Sequence, residues 1–235
     1  MSRNLVIAGG TKGIGLELVR QLKANADQII VLSRDPGELV IDDTVSHQPV
    51  DFTADELQLE LPDVIHGVAY CPGSINLRSF RSLKQEDFRN DLEVNLMGAI
   101  KFLQSCFSGL KKGGADQPAS ALMFSTVAVQ QGLPMHASVA AAKGAIEGLT
   151  RSLAAEWAPK IRVNCLAPAL TDTPLAARFF ASDESRSAMA SKYPLGRTGM
   201  PDDLASIGKF LLSPESGWIT GQVIGVDGGM STLRV

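Results

Sequence analysis

Three glycines near the N-terminus have the spacing of a backbone turn that binds an anion. Gly9, Gly13 and Gly15 follow the apolar run Asn4–Ala8 and overlap the start of an amphipathic run at Ile14. Glycine permits a tight turn and a close approach of the backbone to a pyrophosphate, and the free N–H groups at a helix start point toward such an anion. The spacing Gly-xxx-Gly-x-Gly differs from the usual Gly-x-Gly-xx-Gly, and tight turns of any kind use glycine. The strand–turn–helix context favours a dinucleotide-binding turn.

The glycine turn lies in a chain where short apolar runs alternate with longer amphipathic runs. Near-continuous apolar strands that alternate with helices indicate a parallel sheet covered on both faces. Seven strands are predicted, the third of them weak, over Asn4–Ala8, Gln28–Ser33, Val45–Asp51, Asp63–Tyr70, Ala119–Thr126, Lys160–Pro168 and Gly221–Gly229. Helices are predicted over Ile14–Asn25, Asp87–Leu110 with a bend at Gly98, Met135–Trp157 and Pro201–Ser213. No repeat, linker or change in composition divides the chain, so residues 1–235 are predicted to form one domain.

Composition excludes several classes of function. The net charge of −3 and the lack of a long basic run argue against nucleic-acid binding. The three cysteines are scattered and form no CxxC pair, which indicates reduced thiols in an intracellular protein, and no metal site is predicted. The first apolar run is too short for a signal peptide, and no run approaches the roughly 20 residues of a membrane-spanning helix. We therefore expect a cytoplasmic protein that does not associate with membranes.

Four ordered motifs resemble the short-chain dehydrogenases/reductases. They are "GGTKGIG", "VNLMG", "AAAKGAIEGLTRSLAAEWAPKIRVNCLAP" and "GWITGQVIGVDGG", and together they extend over essentially the whole chain. None is decisive alone, but the ordered set is specific. The resemblance implies a single-domain, Rossmann-like, doubly wound α/β fold with about seven parallel strands and helices on both faces. It also implies binding of NAD(H) or NADP(H), a small-molecule substrate and, often, a homotetramer.

The second predicted strand bears on the choice of cofactor. At the position where an acidic residue would bind the ribose 2′-OH of NAD, alignment with the family places Ser33, followed by Arg34. Lys12 lies in the glycine turn on the same side, and two cations suit the 2′-phosphate of NADP. Asp35 weakens this argument, and exposed Lys and Arg are commonly only solvated. The sequence predicts a preference for NADP(H) over NAD(H).

Other segments match the cofactor-binding segments of the family in part. "VDF" (50–52) resembles the segment that contacts adenine, with Asp51 facing the amino group, although Asp51 also suits a turn or cap. "AYCPGS" replaces the usual Asn-Asn-Ala-Gly and retains only Gly73, and "APALTDTP" retains two threonines that would contact the carboxamide and phosphate. The complete predicted set is Gly9, Thr11, Lys12, Gly13, Ile14, Gly15, Ser33, Arg34, Asp51, Phe52, Cys71, Pro72, Gly73, Asn95, Lys143, Pro168, Thr171 and Thr173.

The resemblance also implies a catalytic set with one departure. The family reduces carbonyls with a Tyr-xxx-Lys pair on one helical face, assisted by Ser and Asn. Lys143 matches the lysine, Asn95 the asparagine, and Thr126 lies at the serine position. Val139 lies at the tyrosine position and has no proton to donate.

Several groups are candidate replacements for that tyrosine. His136 lies one turn earlier on the same helical face, and imidazole is a competent general acid, although a capping or solvated histidine is an alternative. Tyr193 lies in the region that covers the substrate pocket, although it also suits a packed loop aromatic. Ser138 points about 100° around the helix and is a poor substitute. A water molecule held by the three retained residues is a further option.

The sequence therefore leaves three functional hypotheses. The first is an NADP(H)-dependent oxidoreductase acting on a small carbonyl or alcohol with a non-standard proton donor. The second is a catalytically degraded NADP(H)-binding protein that acts as a sensor or partner subunit, and the third is an enzyme of another class that reuses the pocket. Residues Leu175–Gly196 are the predicted substrate lid.

The two long predicted helices favour self-association. They carry apolar residues on more than one side, and one sheet is not expected to cover them all. A homodimer or homotetramer is predicted on this basis; the residues are Leu92, Leu96, Ile100, Phe107, Ile146, Leu149 and Leu153.

Overall fold

The computed structural model describes residues 2–25 and 27–234, and all seven of its strands belong to one parallel sheet. The order across the sheet is β3-β2-β1-β4-β5-β6-β7. The strands are β1 (Asn4–Ala8), β2 (Gln28–Ser33), β3 (Val45–Pro49), β4 (Gly67–Tyr70), β5 (Ala119–Phe124), β6 (Ile161–Pro168) and β7 (Val223–Val226). This arrangement confirms the predicted seven-stranded parallel sheet.

Helices cover both faces of the sheet. They are α1 (Gly13–Lys23), α2 (Gln85–Leu92), α3 (Gly98–Gly113), α4 (Ala128–Gln131), α5 (Ala137–Trp157), α6 (Asp183–Ala190) and α7 (Pro201–Leu212). One core contains residues of α3 and α5, such as Phe102 and Ile146, and the other contains residues of α1 and α7, such as Leu18 and Leu211. No helix in the described ranges combines the length and apolar character needed to cross a bilayer.

The order of the strands locates the site. The chain runs outward from β1 to β3, then crosses over to β4, which lies on the other side of β1. In doubly wound sheets, ligands bind beyond the carboxyl ends of the strands at this point of reversal. The glycine turn follows β1 there, and Cys71 and Gly73 follow β4.

Several predicted boundaries differ from the structure, and three of them lie near the site. β4 begins at Gly67 rather than Asp63, because the preceding backbone turns toward α3, where the Ile65 N–H donates to the Gly109 carbonyl at 3.0 Å. α5 begins at Ala137 rather than Met135, because Met135 has a φ of 66°, which is incompatible with a right-handed helix. β5 ends at Phe124, so the predicted strand residue Thr126 lies just beyond the sheet.

The predicted helix from Asp87 to Leu110 is interrupted by a π-helical segment at Glu93–Met97. The Tyr70 hydroxyl donates to the Val94 carbonyl at 2.7 Å, and the Gly98 N–H bonds instead to the Glu93 carbonyl, five residues back. A side chain at Gly98 would collide with the Tyr70 hydroxyl, so glycine is needed at this contact. The extra residue in this turn contributes to the position of Asn95, which is completely buried.

Candidate active site

The glycine turn forms an uncapped helix start suited to an anion. Gly9 and Gly13 have φ values of 72° and 53°, and a side chain at Gly15 would collide with the Gly9 carbonyl oxygen. The first turn of α1 contains no acidic residue, and no side chain caps it. The N–H groups at this end are therefore oriented toward the space where a pyrophosphate would bind.

Residues that follow β4 and β6 border the same turn. A side chain at Gly9 would lie 3.0 Å from the Pro72 ring, and one at Gly13 would lie 3.2 Å from Thr173. The Thr173 hydroxyl donates to the Thr171 carbonyl at 3.4 Å, and the Thr171 hydroxyl donates to the Ala169 carbonyl at 3.1 Å. Thr11 is buried within the turn itself.

The end of β2 presents a cation near the glycine turn. Arg34 is exposed and forms no ion pair with any residue that the structure describes. Lys12 is loosely paired with Asp35 at 3.8 Å, with both side chains largely exposed. The Ser33 hydroxyl donates to the Asp35 carbonyl at 2.7 Å and lies 2.9 Å from His47 Nε2, so it is already bonded within the protein. Arg34 is therefore the cation in this group that is free to bind a ligand.

Asp51 and Phe52 follow β3 and face different environments. Thr53 donates its N–H and its hydroxyl to Asp51 Oδ1 at 2.9 and 2.7 Å, and these bonds lower the pKa of Asp51, with a smaller contribution from the Arg34 charge. Asp51 therefore stabilises a turn, which is one of the two roles that the sequence suggested. Its Oδ2 is still available to accept a hydrogen bond from a ligand. Phe52 is buried, and its ring makes an edge-on contact with Tyr70 at 5.3 Å. The Phe52 ring therefore belongs to the core, and only its backbone is available to an adenine.

A cavity of about 460 Å³ lies beyond the carboxyl ends of the strands. Its walls are mostly apolar and include residues of the predicted lid. The lining brings together ten residues predicted from the sequence: Ile14, Cys71, Gly73, Thr126, His136, Lys143, Pro168, Thr171, Thr173 and Tyr193. Predicted residues outside this lining are Gly9, Thr11, Lys12, Gly13, Gly15, Ser33, Arg34, Asp51, Phe52, Pro72 and Asn95.

Lys143 is a buried cation in the wall of the cavity. Its ammonium donates to the Phe124 carbonyl at 2.8 Å. Burial lowers the pKa of Lys143 to about 8, while Cys165, Cys71 and Asp91 act in the opposite direction. An amine with three N–H groups and one bond within the protein has two N–H groups left for a ligand.

Asn95 belongs to a buried polar cluster that the sequence did not predict. Its Nδ2 donates to the Ser74 hydroxyl and to the Asp91 carbonyl, both at 2.8 Å. The Ser74 hydroxyl donates to Asp91 Oδ1 at 2.5 Å, and Ser74 also lines the cavity. The available signals were that Ser74 directly follows Gly73 and that Asp91 lies one helical turn before Asn95.

Val139 also lines the cavity, one turn before Lys143 on α5. His136 is partly buried at the start of the same helix, and its Nδ1 lies 2.8 Å from the Pro134 carbonyl. This contact identifies Nδ1 as the protonated nitrogen, because a carbonyl only accepts. Ser138 does not line the cavity, and its buried hydroxyl has no bonding partner among the described residues.

Thr126 and Tyr193 line the cavity from opposite parts of the chain. The Thr126 hydroxyl accepts the Ala128 N–H at 3.3 Å, so its proton is free for another acceptor. The Tyr193 oxygen accepts the Leu170 N–H at 3.1 Å, and burial raises the pKa of the phenol. Both hydroxyls can donate to a ligand, but Tyr193 is a weaker acid than an exposed phenol.

Comparisons with known proteins agree with this geometry. A family profile described as "Enoyl-(Acyl carrier protein) reductase" matches residues 43–231. A tropinone reductase homolog from Arabidopsis thaliana is 31% identical over 97% of this chain and 92% of its own length. The L-xylulose reductase of Bos taurus is 31% identical over 97% of this chain and 96% of its own.

Solved structures have the same fold. ElxO with NADP bound superposes with a TM-score of 0.88 at 23% identity, over 99% of this chain and 100% of that one. A short-chain dehydrogenase family protein from Francisella tularensis gives 0.87 at 24% identity, over 99% and 100% of the two chains. The family profile and the two relatives at 31% identity show that the chain belongs to the short-chain dehydrogenase/reductase family.

Proposed function

We propose that the protein is an NADP(H)-dependent oxidoreductase that acts on a small carbonyl or alcohol, with a proton donor other than the usual tyrosine. The observation that carries this proposal is the buried Lys143 amine, which lines the cavity with two N–H groups unbonded. Thr126 lines the same cavity, and Asn95 lies beside it. The retention of Asn95 and Thr126 beside Lys143 supports an oxidoreductase.

The residues present fit a dinucleotide. The uncapped start of α1 suits the pyrophosphate, and a side chain at Gly15 would fill the backbone cradle. Arg34 suits a 2′-phosphate, and Lys143 suits the hydroxyls of the nicotinamide ribose. When bound, the cofactor supplies or accepts a hydride, while the protein orients the substrate and manages the proton. NADP bound to ElxO supports the same choice here.

The cavity wall supports a substrate with an apolar body. Leu77, Leu133, Leu175, Phe179 and Met189 line it, and the last three belong to the segment predicted to form the lid. The Thr126 hydroxyl is suited to bind the reacting oxygen. The substrate is therefore proposed to be a carbonyl or alcohol with a hydrocarbon portion rather than a highly charged metabolite.

Val139 is proposed to occupy the position that the family gives to tyrosine. Valine adds an apolar surface there, so the proton must come from another group lining the cavity. His136, Lys143, Lys192 and Tyr193 are among the residues there with nitrogen- or oxygen-bound protons suited to acid–base work.

The test is steady-state oxidation of NADPH by the purified protein with a panel of aliphatic and aromatic ketones and aldehydes. The expected result is turnover by the wild type with at least one apolar carbonyl. NADPH binding by calorimetry without turnover across the panel would instead support the protein as a sensor or partner subunit.

We propose further that the protein forms a homodimer or homotetramer. Phe107 on α3 is 37% exposed and contacts Trp157 of α5, with ring centroids 5.1 Å apart, so an apolar surface extends across both helices. Light scattering at micromolar concentration tests this, and a monomer would contradict it. Phe107→Glu is expected to shift the assembly toward monomer.

A further inference from the structure

Asp91 is a buried carboxylate beside the cavity with an incomplete set of partners. Its residue is 3% exposed, and its Oδ1 accepts the Ser74 hydroxyl at 2.5 Å. Its Oδ2 is buried and has no hydrogen-bond partner among the described residues. A buried charge is costly unless an opposite charge compensates it. A cation near Asp91 would compensate its charge.

The hydrogen-bonded cluster around Asp91 lies near the Lys143 amine, with Gly73 between them. Asn95 donates to the Ser74 hydroxyl at 2.8 Å, so Asn95 and Asp91 hold Ser74 from both sides. A side chain at Gly73 would lie 3.3 Å from Asn95 Oδ1 and 3.5 Å from Lys143 Nζ. Gly73 thus leaves a small space between the cluster and the amine, and Ser74 continues the same wall of the cavity.

The titratable groups that act on the pKa of Lys143 belong to three other parts of the fold. Cys71 follows β4, Cys165 lies on β6, and Asp91 lies on α2. Burial raises the pKa of both thiols to about 12, so they are neutral near pH 7. Glu147, one turn after Lys143 on α5, is a second buried carboxylate, and it accepts the Ser125 hydroxyl at 2.8 Å. Asp91 is the carboxylate among the three groups that raise the pKa of Lys143.

We propose, resting on the oxidoreductase function above, that Lys143 itself donates the proton to the substrate oxygen, and that Asp91 is a positioning residue whose charge keeps the Lys143 ammonium protonated. Val139 has no proton to give. The amine lines the cavity and has two unbonded N–H groups, enough to hold a cofactor hydroxyl and to reach a substrate oxygen. The Ser74 hydroxyl, which accepts from Asn95, fixes the Asp91 side chain in place.

The proton transfer balances without another reactant. As the substrate carbon accepts the hydride, the electron pair of the C=O bond moves onto the oxygen. An O–H bond then forms to that oxygen while one N–H bond of Lys143 breaks, which leaves a neutral amine. Before the next turnover the neutral amine takes up one proton from the medium, delivered by water that breaks an O–H bond as the N–H bond forms and is itself reprotonated by bulk solvent.

The first test follows the titration of Lys143 in the cofactor-free protein, so it does not depend on turnover. Protein labelled with ¹³C at the lysine Cε is titrated by NMR, and the Lys143 signal is assigned by its loss in Lys143→Met. In Asp91→Asn, the midpoint is expected to move to lower pH by about one unit, within the range that neighbouring charges produce. Glu86→Gln removes one exposed negative charge from the same helix and is expected to leave the midpoint unchanged.

Two further variants keep the test interpretable if Asp91→Asn does not fold. Asp91→Glu retains the charge and is expected to restore most of the wild-type midpoint. Ser74→Ala removes the hydrogen bond but keeps the carboxylate, so a smaller shift in the same direction is expected. If Asp91→Asn does not fold, an unchanged midpoint in Ser74→Ala would overturn the role of this cluster.

The second test compares turnover with titration. The alkaline limb of the pH profile for carbonyl reduction is expected to follow the Lys143 midpoint and to move with it in Asp91→Asn.

A Lys143 midpoint unchanged in folded Asp91→Asn would overturn the role of Asp91. Loss of turnover in His136→Gln or Tyr193→Phe, with NADPH binding retained, would overturn Lys143 as the donor. An absence of turnover in the wild type would overturn the proposed function, whereas the NMR titration would still decide the effect of Asp91 on Lys143.

Discussion

Val139 and Lys143 lie one helical turn apart on α5, and both side chains line the same cavity. Val139 therefore places an apolar group beside the Lys143 amine, at a position from which an acidic side chain could reach it. Because side chains four residues apart share a helical face, a group added at position 139 would lie within reach of the lysine charge.

Val139→Tyr is expected to increase carbonyl reduction. The added phenol would be a general acid whose pKa the nearby ammonium lowers, and general acid–base help is worth about 10²–10⁴-fold. We expect the rise in kcat to be part of that factor, because overpacking of a tight site costs about 1–3 kcal/mol. Val139→Phe adds the same ring without the hydroxyl, and an equal change in both variants would attribute the effect to bulk alone.

Arg34→Ala is expected to weaken NADPH binding and to leave NADH binding unchanged. Loss of one charge-assisted hydrogen bond to the 2′-phosphate costs about 1.5–3 kcal/mol, or about 10- to 100-fold in Kd. Calorimetric titration of both cofactors measures this. Arg89→Ala, which removes an exposed arginine from α2, is the matched control. Equal NADPH affinity in wild type and Arg34→Ala would remove the structural basis for the NADP(H) preference.

Gly15→Ala is expected to destabilise the protein and to abolish tight NADPH binding. Its new methyl group would collide with the Gly9 carbonyl oxygen, and relief of that collision would distort the glycine turn. We expect a loss of about 1–3 kcal/mol in the free energy of unfolding, as for other overpacked sites. Gly148→Ala on α5 meets no atom within 4 Å and is expected to stabilise the helix by about 0.5–1 kcal/mol. Similar thermal unfolding of the two variants would contradict the crowding at Gly15.

Lys143→Met is expected to change the dependence of stability on pH. The folded-state pKa of Lys143 lies near 8, below the usual lysine value of 10.5, so the unfolded chain binds more protons between these pH values. The stability of the wild type therefore gains from this group as pH rises through that window, and the gain is absent in the methionine variant. At pH 7, removal of the buried charge is expected to stabilise the variant by on the order of 2 kcal/mol. Loss of the bond to the Phe124 carbonyl is expected to offset about 1 kcal/mol of this gain.

Denaturant unfolding at several pH values measures this difference. The advantage of the methionine variant is expected to shrink between pH 8 and pH 10.5. Lys111→Met, which removes an exposed lysine from α3, is the control and should show no such trend. A constant difference between Lys143→Met and wild type across the window would contradict a depressed pKa for this lysine.

The fold was predictable because the pattern of apolar residues is repeated along the chain. Buried strands such as Val6–Ala8 and Ala119–Phe124 are apolar or small throughout, and the helices between them carry their own periodicity. A parallel order of strands follows from that alternation. The end of α5 at Trp157 was also predicted correctly, since the run before it favours helix.

The π-helical segment was not predictable from local pattern. Its Gly98 N–H bonds to the Glu93 carbonyl, and the Tyr70 hydroxyl on β4 donates to the Val94 carbonyl. This contact joins residues 24 positions apart in the chain. The sequence marked the place only by the glycine at 98, which was interpreted as a bend.

The buried cluster beside Lys143 was missed for the same reason. Ser74 and Asp91 are unremarkable in composition, and they meet only when the segment after β4 packs against α2. The proposed catalytic residues Asn95, Thr126 and Lys143 were identified because they lie within motifs. A polar contact between two elements leaves no such motif, so it required the three-dimensional structure.

Transfer of deuterium from NADPH carrying the label at C4 of the nicotinamide ring tests the central claim most directly. Wild-type protein is incubated with the labelled cofactor and the best carbonyl of the panel, and the product alcohol is analysed by mass spectrometry. We predict that the label arrives at the carbon of the former carbonyl group, at a rate that falls at alkaline pH as Lys143 loses its proton. Tight binding of NADPH without any labelled product in the wild type, together with labelled product from Val139→Tyr, would contradict the claim that this pocket catalyses reduction without a tyrosine.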